Sequence, residues 1–289
     1  SGWIIPQLSN LRHNAGMKDD KQSNLPIGVF DSGVGGLTVL KAIQQALPNE
    51  NLIYLGDTAR LPYGTKSPVS IERYATQAAA KLQEQGIKLL VVACNTASAV
   101  ALDALREAMA PLPVVGVVEP GATAAAAAHP GGRHLVLATE ATVRLGAYSK
   151  AITAIDPQAV VREHACEMLV SLAEEGWSDG DIARAIVQRY LDEADGHDPD
   201  TIILGCTHFP LLKDTIQSVA DAGVTIVDSA STAAEVVREA LIENGVMRDS
   251  DQPATLRLLA TDGATRFARV GGQFLGHELS YKDVELVDL

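Results

Sequence analysis

"TIILGCTHFPLL" (Thr201–Leu212) starts as a β-branched apolar run, turns at Gly205, and then presents Cys206, Thr207 and His208 ahead of Pro210. An upstream stretch, "LLVVACNTASAV" (Leu89–Val100), follows the same plan with Cys94, Asn95 and Thr96. Short apolar runs that do not alternate with polar residues mark strands buried on both faces, as in a parallel sheet covered by helices. Further runs of this kind are IGVF (27–30), LIYLG (52–56), VVGVV (114–118), HLVLAT (134–139), VTIVD (224–228) and LRLLAT (256–261). Segments rich in Ala, Glu, Gln and Lys lie between them, and the alternation predicts an α/β fold.

The order of these pieces repeats. Cys94 and Cys206 are 112 residues apart. "VVGVVEPGATAA" matches "VTIVDSASTAA" with Glu119 and Asp228 offset by 109, and "IGVFDSGVGGLT" pairs more loosely with "LVLATEATVRLG", Asp31 and Thr139 being 108 apart. Three matches at nearly one offset predict two pseudosymmetric α/β domains. The expected division is an N-terminal arm over 1–25, a first domain of 26–121 plus 230–289, and a second of 122–229. Ligands of open α/β sheets sit beyond the carboxyl ends of the strands, so the two thiols are expected to face each other across one cleft.

Bulk properties narrow the function. The 289 residues are 47% hydrophobic but only 4% aromatic, so the core is aliphatic. A net charge of −13 argues against a non-specific nucleic-acid binder, which needs a cationic footprint. It leaves small anionic substrates open, since helix N-termini bind anions on acidic proteins. No apolar run is long enough for a membrane span, and the N-terminal stretch lacks the apolar centre of a signal peptide. The three Cys form no disulfide framework, and a reducing cytoplasm is the expected location.

Several motifs admit more than one use. "FDSGVGGLT" (30–38) is a glycine-rich turn after a strand, but Thr38 stands where a dinucleotide fingerprint wants glycine, and no Walker Gly-Lys is present. Phosphate or nucleotide binding by the Gly33–Gly36 turn therefore stays an alternative to an active-site turn presenting Asp31 and Ser32. Cys94 and Cys206 each precede an expected helix, whose N-terminus would lower a thiol pKa. Cys94, Cys166, Cys206 and His208 are chemically fit metal ligands, but no CxxC or HxxH spacing exists and no metal is expected. A Cys206–His208 hydrolase pair would leave Cys94 without a role. "GDTARLPYG" (56–64) is either a plain loop or a substrate loop with Pro62, the Tyr63 hydroxyl and Gly64. Cys166 reads as structural.

Two opposed thiols suit one reaction well. Inverting a stereocentre with an acidic C–H needs one group to take the proton from one face and another to deliver a proton to the other. One thiolate and one thiol can do this in both directions, with neighbours such as Asp31 and His208 setting the asymmetry. Nothing in the sequence calls for a pyridoxal cofactor.

"FDSGVGGLTVL", "DTARLPYG", "VVACNTAS", "GVVEPG" and "LGCTHFPLL" together resemble the cofactor-independent aspartate/glutamate racemase family, its glutamate-specific members above all, over roughly residues 27–277. The resemblance implies interconversion of L- and D-glutamate, supplying D-glutamate for peptidoglycan, with aspartate as the alternative substrate. It implies Cys94 and Cys206 as the acid/bases, assisted by Asp31 and His208 respectively. Ser32, Pro62, Tyr63, Gly64, Asn95, Thr96 and Thr207 are the implied substrate contacts. "CEMLVSLAE" stands where the family has an acidic residue after a C-P-x-F-V-x-L-V-E segment, which implies Glu174 in that role, although Glu167 replaces the Pro. The family further implies a monomer or homodimer. For chains with an N-terminal extension it implies activation by UDP-N-acetylmuramoyl-L-alanine.

Overall fold

A computed structural model describes residues 21–194 and 198–289. The first lobe opens with β1 (Ile27–Asp31), α1 (Leu37–Ala46), β2 (Leu52–Gly56), α2 (Pro68–Glu84), β3 (Leu89–Val92), α3 (Asn95–Met109) and β4 (Val114–Gly116). The chain then builds the second lobe from α4 (Val118–Ala128), β5 (Arg133–Ala138), α5 (Glu140–Leu145), α6 (Ala147–Ile155) and β6 (Val160–Ala165). It continues there with α7 (Glu167–Glu175), α8 (Gly180–Glu193), β7 (Thr201–Gly205), α9 (Lys213–Val219) and β8 (Thr225–Asp228). It returns to the first lobe with α10 (Ser229–Glu243), β9 (Leu256–Ala260), α11 (Ala264–Leu275) and β10 (Val284–Leu286).

Every strand pairing is parallel. The first sheet runs β10-β9-β2-β1-β3-β4 and the second β6-β5-β7-β8. Within these orders β2-β1-β3-β4 and β6-β5-β7-β8 are the same arrangement, so the duplicated sequence has a duplicated topology. β9 and β10 extend the first lobe alone. In each sheet the order reverses beside the first strand, between β1 and β3 and between β5 and β7. That reversal opens a crevice at the carboxyl ends. Asp31 ends β1 and Cys94 follows β3, whereas Thr139 follows β5 and Cys206 follows β7.

Burial explains why the central strands read so clearly. Every residue of β1, β2, β3 and β7 is buried. Between α2, α3 and the first sheet lies one apolar layer, including Phe30, Leu55, Ala78, Val92 and Leu105. A second, between α4, α6 and the second sheet, includes Val118, Ala122, Val136, Tyr148 and Ile203. The largest joins the lobes, running from Val29 and Leu40 through Leu137 and Leu204 to Phe209 and Phe267. The side-chain burial in these layers is worth about 1.5–3 kcal/mol for each large aliphatic residue.

The expected N-terminal arm lies mostly outside the described residues. Its described end is tied to the first lobe: Lys88 Nζ donates to Ser23 O at 2.5 Å, and Arg248 Nε to Asn24 Oδ1 at 3.1 Å. No helix among the described residues is long and apolar enough to cross a membrane.

Candidate active site

Cys94 and Cys206 are buried, each 6% exposed, at the carboxyl ends of equivalent strands. Their local settings differ. Cys94 is the N-cap of α3, its Sγ accepting the Ala97 N–H at 3.4 Å and lying 3.6 Å from Ser32 Oγ. Cys206 leads instead into a single 3-10 turn, Phe209–Leu212, before α9. The expectation of two thiols each at an α-helix N-terminus is met at Cys94 only.

The expected lowering of the thiol pKa fails at Cys94. Burial, reinforced by the charge of Asp31, pushes the Cys94 thiol up to about 12, and the Ala97 N–H and Ser32 only partly oppose this. Cys206 adds a further upward push, so the two sulfurs lie within each other's field. Loss of hydration outweighs the helix terminus because a thiolate excluded from water has few donors to replace it.

Asp31 Oδ2 accepts the Gly33 N–H at 2.8 Å and faces Tyr54 Oη at 3.4 Å. Burial raises its carboxyl above the usual range, opposed first by the Gly33 N–H and then by the charge of His208. His208 faces Cys206, Nδ1 to Sγ being 3.8 Å, and its Nε2 lies 3.1 Å from Glu174 Oε1. Burial alone would make the imidazole less basic, but hydrogen bonds to Cys206 and Glu174 and their charges raise it to about 10. Glu174 is held below the usual carboxylate range, first by its bond to His208 and also by Arg266. One thiol therefore has a buried carboxyl group as neighbour and the other an imidazolium.

The glycine turn is filled by the facing lobe. A Cβ on Gly35 would collide with Thr207 Oγ1 and His208 Nδ1, and one on Gly36 with Asp31 Cβ. Thr38, which replaces the third glycine of a dinucleotide fingerprint, donates to Thr207 O at 2.9 Å. The turn thus joins the two lobes tightly, and no cradle for a phosphate is left at Gly35.

The other expected residues are in or around the same region. Asn95 Oδ1 accepts from Tyr148 Oη at 2.7 Å, while its Nδ2 is buried without a hydrogen-bond partner among the described residues. Thr96 Oγ1 lies 3.0 Å from Thr139 Oγ1 and 3.4 Å from Thr142 Oγ1 across the lobes. The Tyr63 hydroxyl donates to Asp57 at 2.6 Å, and Asp57 also binds Arg60 and Thr261. This network fixes the Tyr63–Thr65 turn so that Gly64 sits against Thr139, whereas Pro62 is exposed. Cys166 is buried with its Sγ 3.5 Å from His164 O, and burial pushes its thiol up, with the charges of Glu193, Glu167 and Cys206 adding to this. Among the described residues no cluster of His, Cys, Asp or Glu could hold a metal ion.

The model of the Asp/Glu/hydantoin racemase family matches residues 27–237. The chain belongs to that family.

Its relatives within the family are close in both sequence and fold. A glutamate racemase of Geobacter metallireducens is 49% identical over 263 residues, covering 91% of this chain and 96% of the relative. The crystal structure of glutamate racemase from Francisella tularensis in complex with D-glutamate matches with a TM-score of 0.84 at 36% identity, covering 92% of this chain and 98% of that one. The Escherichia coli glutamate racemase, in complex with L-glutamate and the activator UDP-MurNAc-Ala, matches with a TM-score of 0.70 at 33% identity, covering 86% and 95%.

In this racemase-family site, sequence reasoning missed Thr139, Thr142, Tyr148, Tyr54 and Arg266. One signal pointed to Thr139: it is the counterpart of Asp31 in the internal repeat. Tyr148 and Arg266 sit within helices, α6 and α11, where nothing local marks them.

Proposed function

We propose that this chain interconverts L-glutamate and D-glutamate, using Cys94 and Cys206 as the two acid/bases at Cα. The observation that supports it is the different partner beside each of two thiols at the ends of equivalent strands, Asp31 by Cys94 and His208 by Cys206. Near neutral pH Cys94 is a protonated thiol, held so by burial and Asp31, while His208 is an imidazolium placed against Cys206. In this reading Cys206 Sγ takes the proton from Cα and the C–H electron pair stays on the substrate. The Cys94 S–H then delivers its proton to the opposite face. For the other enantiomer the roles reverse. Two charged states of one pair suffice, and no cofactor is required.

The α-carbanion must be stabilised as it forms. We assign that task and substrate placement to donors around the thiols: Asn95 Nδ2, Ser32, Thr96, Thr207 and the backbone at Tyr63 and Gly64, with Pro62 at the rim of the turn. Thr139 and Thr142 join them from the second lobe. The proposed division, 26–121 plus 230–289 against 122–229, falls inside α4 and α10 near their starts, and packing puts α4 whole with the second lobe and α10 whole with the first. Glutamate is favoured over aspartate because relatives with 49% and 44% identity are named glutamate racemases. The reading extends to supply of D-glutamate for peptidoglycan in the cytoplasm, by a monomer or homodimer. Activation by UDP-N-acetylmuramoyl-L-alanine is proposed by analogy with the Escherichia coli protein.

The test is incubation with L-glutamate in heavy water without added cofactor. D-Glutamate bearing deuterium at Cα is the expected product. If neither inversion nor exchange occurs, with and without the muramoyl precursor, the reading is wrong.

A further inference from the structure

α11 belongs to the first lobe yet reaches the second. Arg266 Nη2 lies 2.6 Å from Glu174 Oε2, while the other oxygen of Glu174 faces His208 Nε2 at 3.1 Å. Two turns further along the same helix, the Phe274 ring stands edge-on to the imidazole, with centroids 5.1 Å apart. Cys206, His208 and Glu174 all come from the second lobe, and their chain of contacts ends on a first-lobe cation.

We infer that Arg266 is a positioning residue for the Cys206 side of the reaction. By holding one oxygen of Glu174 it keeps the other on His208, and because the hold crosses the lobes, the relay is complete only when they are closed together. The inference rests on the proposed roles of Cys206 and His208. As a contribution to stability, an ion pair whose Arg side chain is 58% exposed counts for little. Orientation is the role that its geometry supports. A carboxylate side chain has several staggered rotamers, and Glu174, 20% exposed, has solvent to turn toward once Arg266 is gone.

The pH profile separates this role from a simple charge effect. The groups facing His208 are Cys206 beside it, Glu174 from α7, Asp31 from the end of β1 and Phe274 from α11, with Arg266 of α11 behind Glu174. Deleting the Arg266 charge alone would make the imidazolium easier to keep and move the alkaline limb of kcat/KM upward. Losing Glu174 from His208 moves that limb downward.

The experiment measures kcat/KM against pH for wild type, R266M, R266K and E174Q, with thermal unfolding alongside. The expected result is a downward move of the alkaline limb in R266M by roughly one pH unit, a roughly tenfold loss of rate on that limb. The melting temperature should stay unchanged, and R266K should restore the limb. An upward or absent shift in R266M while E174Q moves the limb down overturns the role of Arg266 alone. An unmoved limb in E174Q as well overturns the relay beneath it, and the inference with it.

Discussion

Tyr148 of the second lobe donates a 2.7 Å hydrogen bond to Asn95 Oδ1 of the first. That bond fixes which end of the Asn95 amide is left over, and the end left over is the buried, unpartnered Nδ2 donor. Tyr148→Phe should free the amide to turn. Loss of one such bond is worth about 1 kcal/mol, so KM for glutamate should rise roughly fivefold with a smaller change in kcat. Steady-state kinetics in both directions would decide it, and an unchanged KM would remove Asn95 from the substrate contacts.

The two thiols should fail separately. Cys94→Ser and Cys206→Ser should each lower racemisation by roughly 10²–10⁴, the usual weight of one acid/base group. Each variant keeps one working thiol. It should therefore still exchange the Cα hydrogen of one enantiomer with solvent, and the two variants should differ in which one. Proton NMR in heavy water reads this directly; exchange of both enantiomers by either variant would contradict two opposed bases.

Cys94 should also shape alkaline stability. Its thiol ionises near 8.5 in an unfolded chain but only at about 12 in the fold. Folding therefore favours the protonated form, and this contribution is whole below about pH 8.5 and fades as pH rises toward about 12. Urea unfolding at several alkaline pH values should show wild type losing more stability than Cys94→Ala over that window. Asp31→Asn should bring the thiol pKa down, seen in the ultraviolet absorbance of the thiolate.

Gly35 has no room for a side chain. Gly35→Ala forces a methyl group into Thr207 and His208, and overpacking of this kind costs typically 1–3 kcal/mol. The expected outcome is a loss of kcat/KM larger than the loss of stability, because the displaced group is the imidazole beside Cys206. Denaturation midpoints and kinetics on one preparation separate the two effects.

Far from the thiols, Lys88 and Glu50 form a buried ion pair at 2.5 Å, with Lys88 also donating to Val246 O at 2.9 Å. Lys88→Met removes the cation paired with the buried Glu50 and leaves it the Arg248 N–H, and breaking a buried pair in this way costs about 3–5 kcal/mol. Chemical denaturation should show this while kcat per folded molecule stays level.

How much of this was legible depended on burial. The central strands β1, β2, β3 and β7 are buried throughout, so their sequences are continuous apolar runs. β6 escaped because it is an edge strand, half exposed, and Arg162, Glu163 and His164 interrupt its pattern. β10 escaped because it is three residues long. The strand-end positions of Cys94 and Cys206 were readable from the repeated offset, and those of Asp31 and His208 from the obvious strands they end or follow. Thr142, Tyr148 and Arg266 gain meaning only when a second lobe faces them, and a sequence carries no local sign of a partner that distant. The pKa of Cys94 was misjudged for the same reason: the helix terminus is local, whereas burial and Asp31 come from the assembled sheet.

The first sheet takes strands from both ends of the chain: β2 pairs with β9, Leu52 opposite Leu256, with the whole second lobe between them. During synthesis, therefore, the four strands of the second lobe emerge and can assemble while the β2 edge still waits for its neighbour. A nascent chain presents that unpaired apolar edge until β9 leaves the ribosome. Such an edge is a template for wrong partners. Truncation before β9 should thus yield a product that aggregates through the first lobe while its second lobe is already formed.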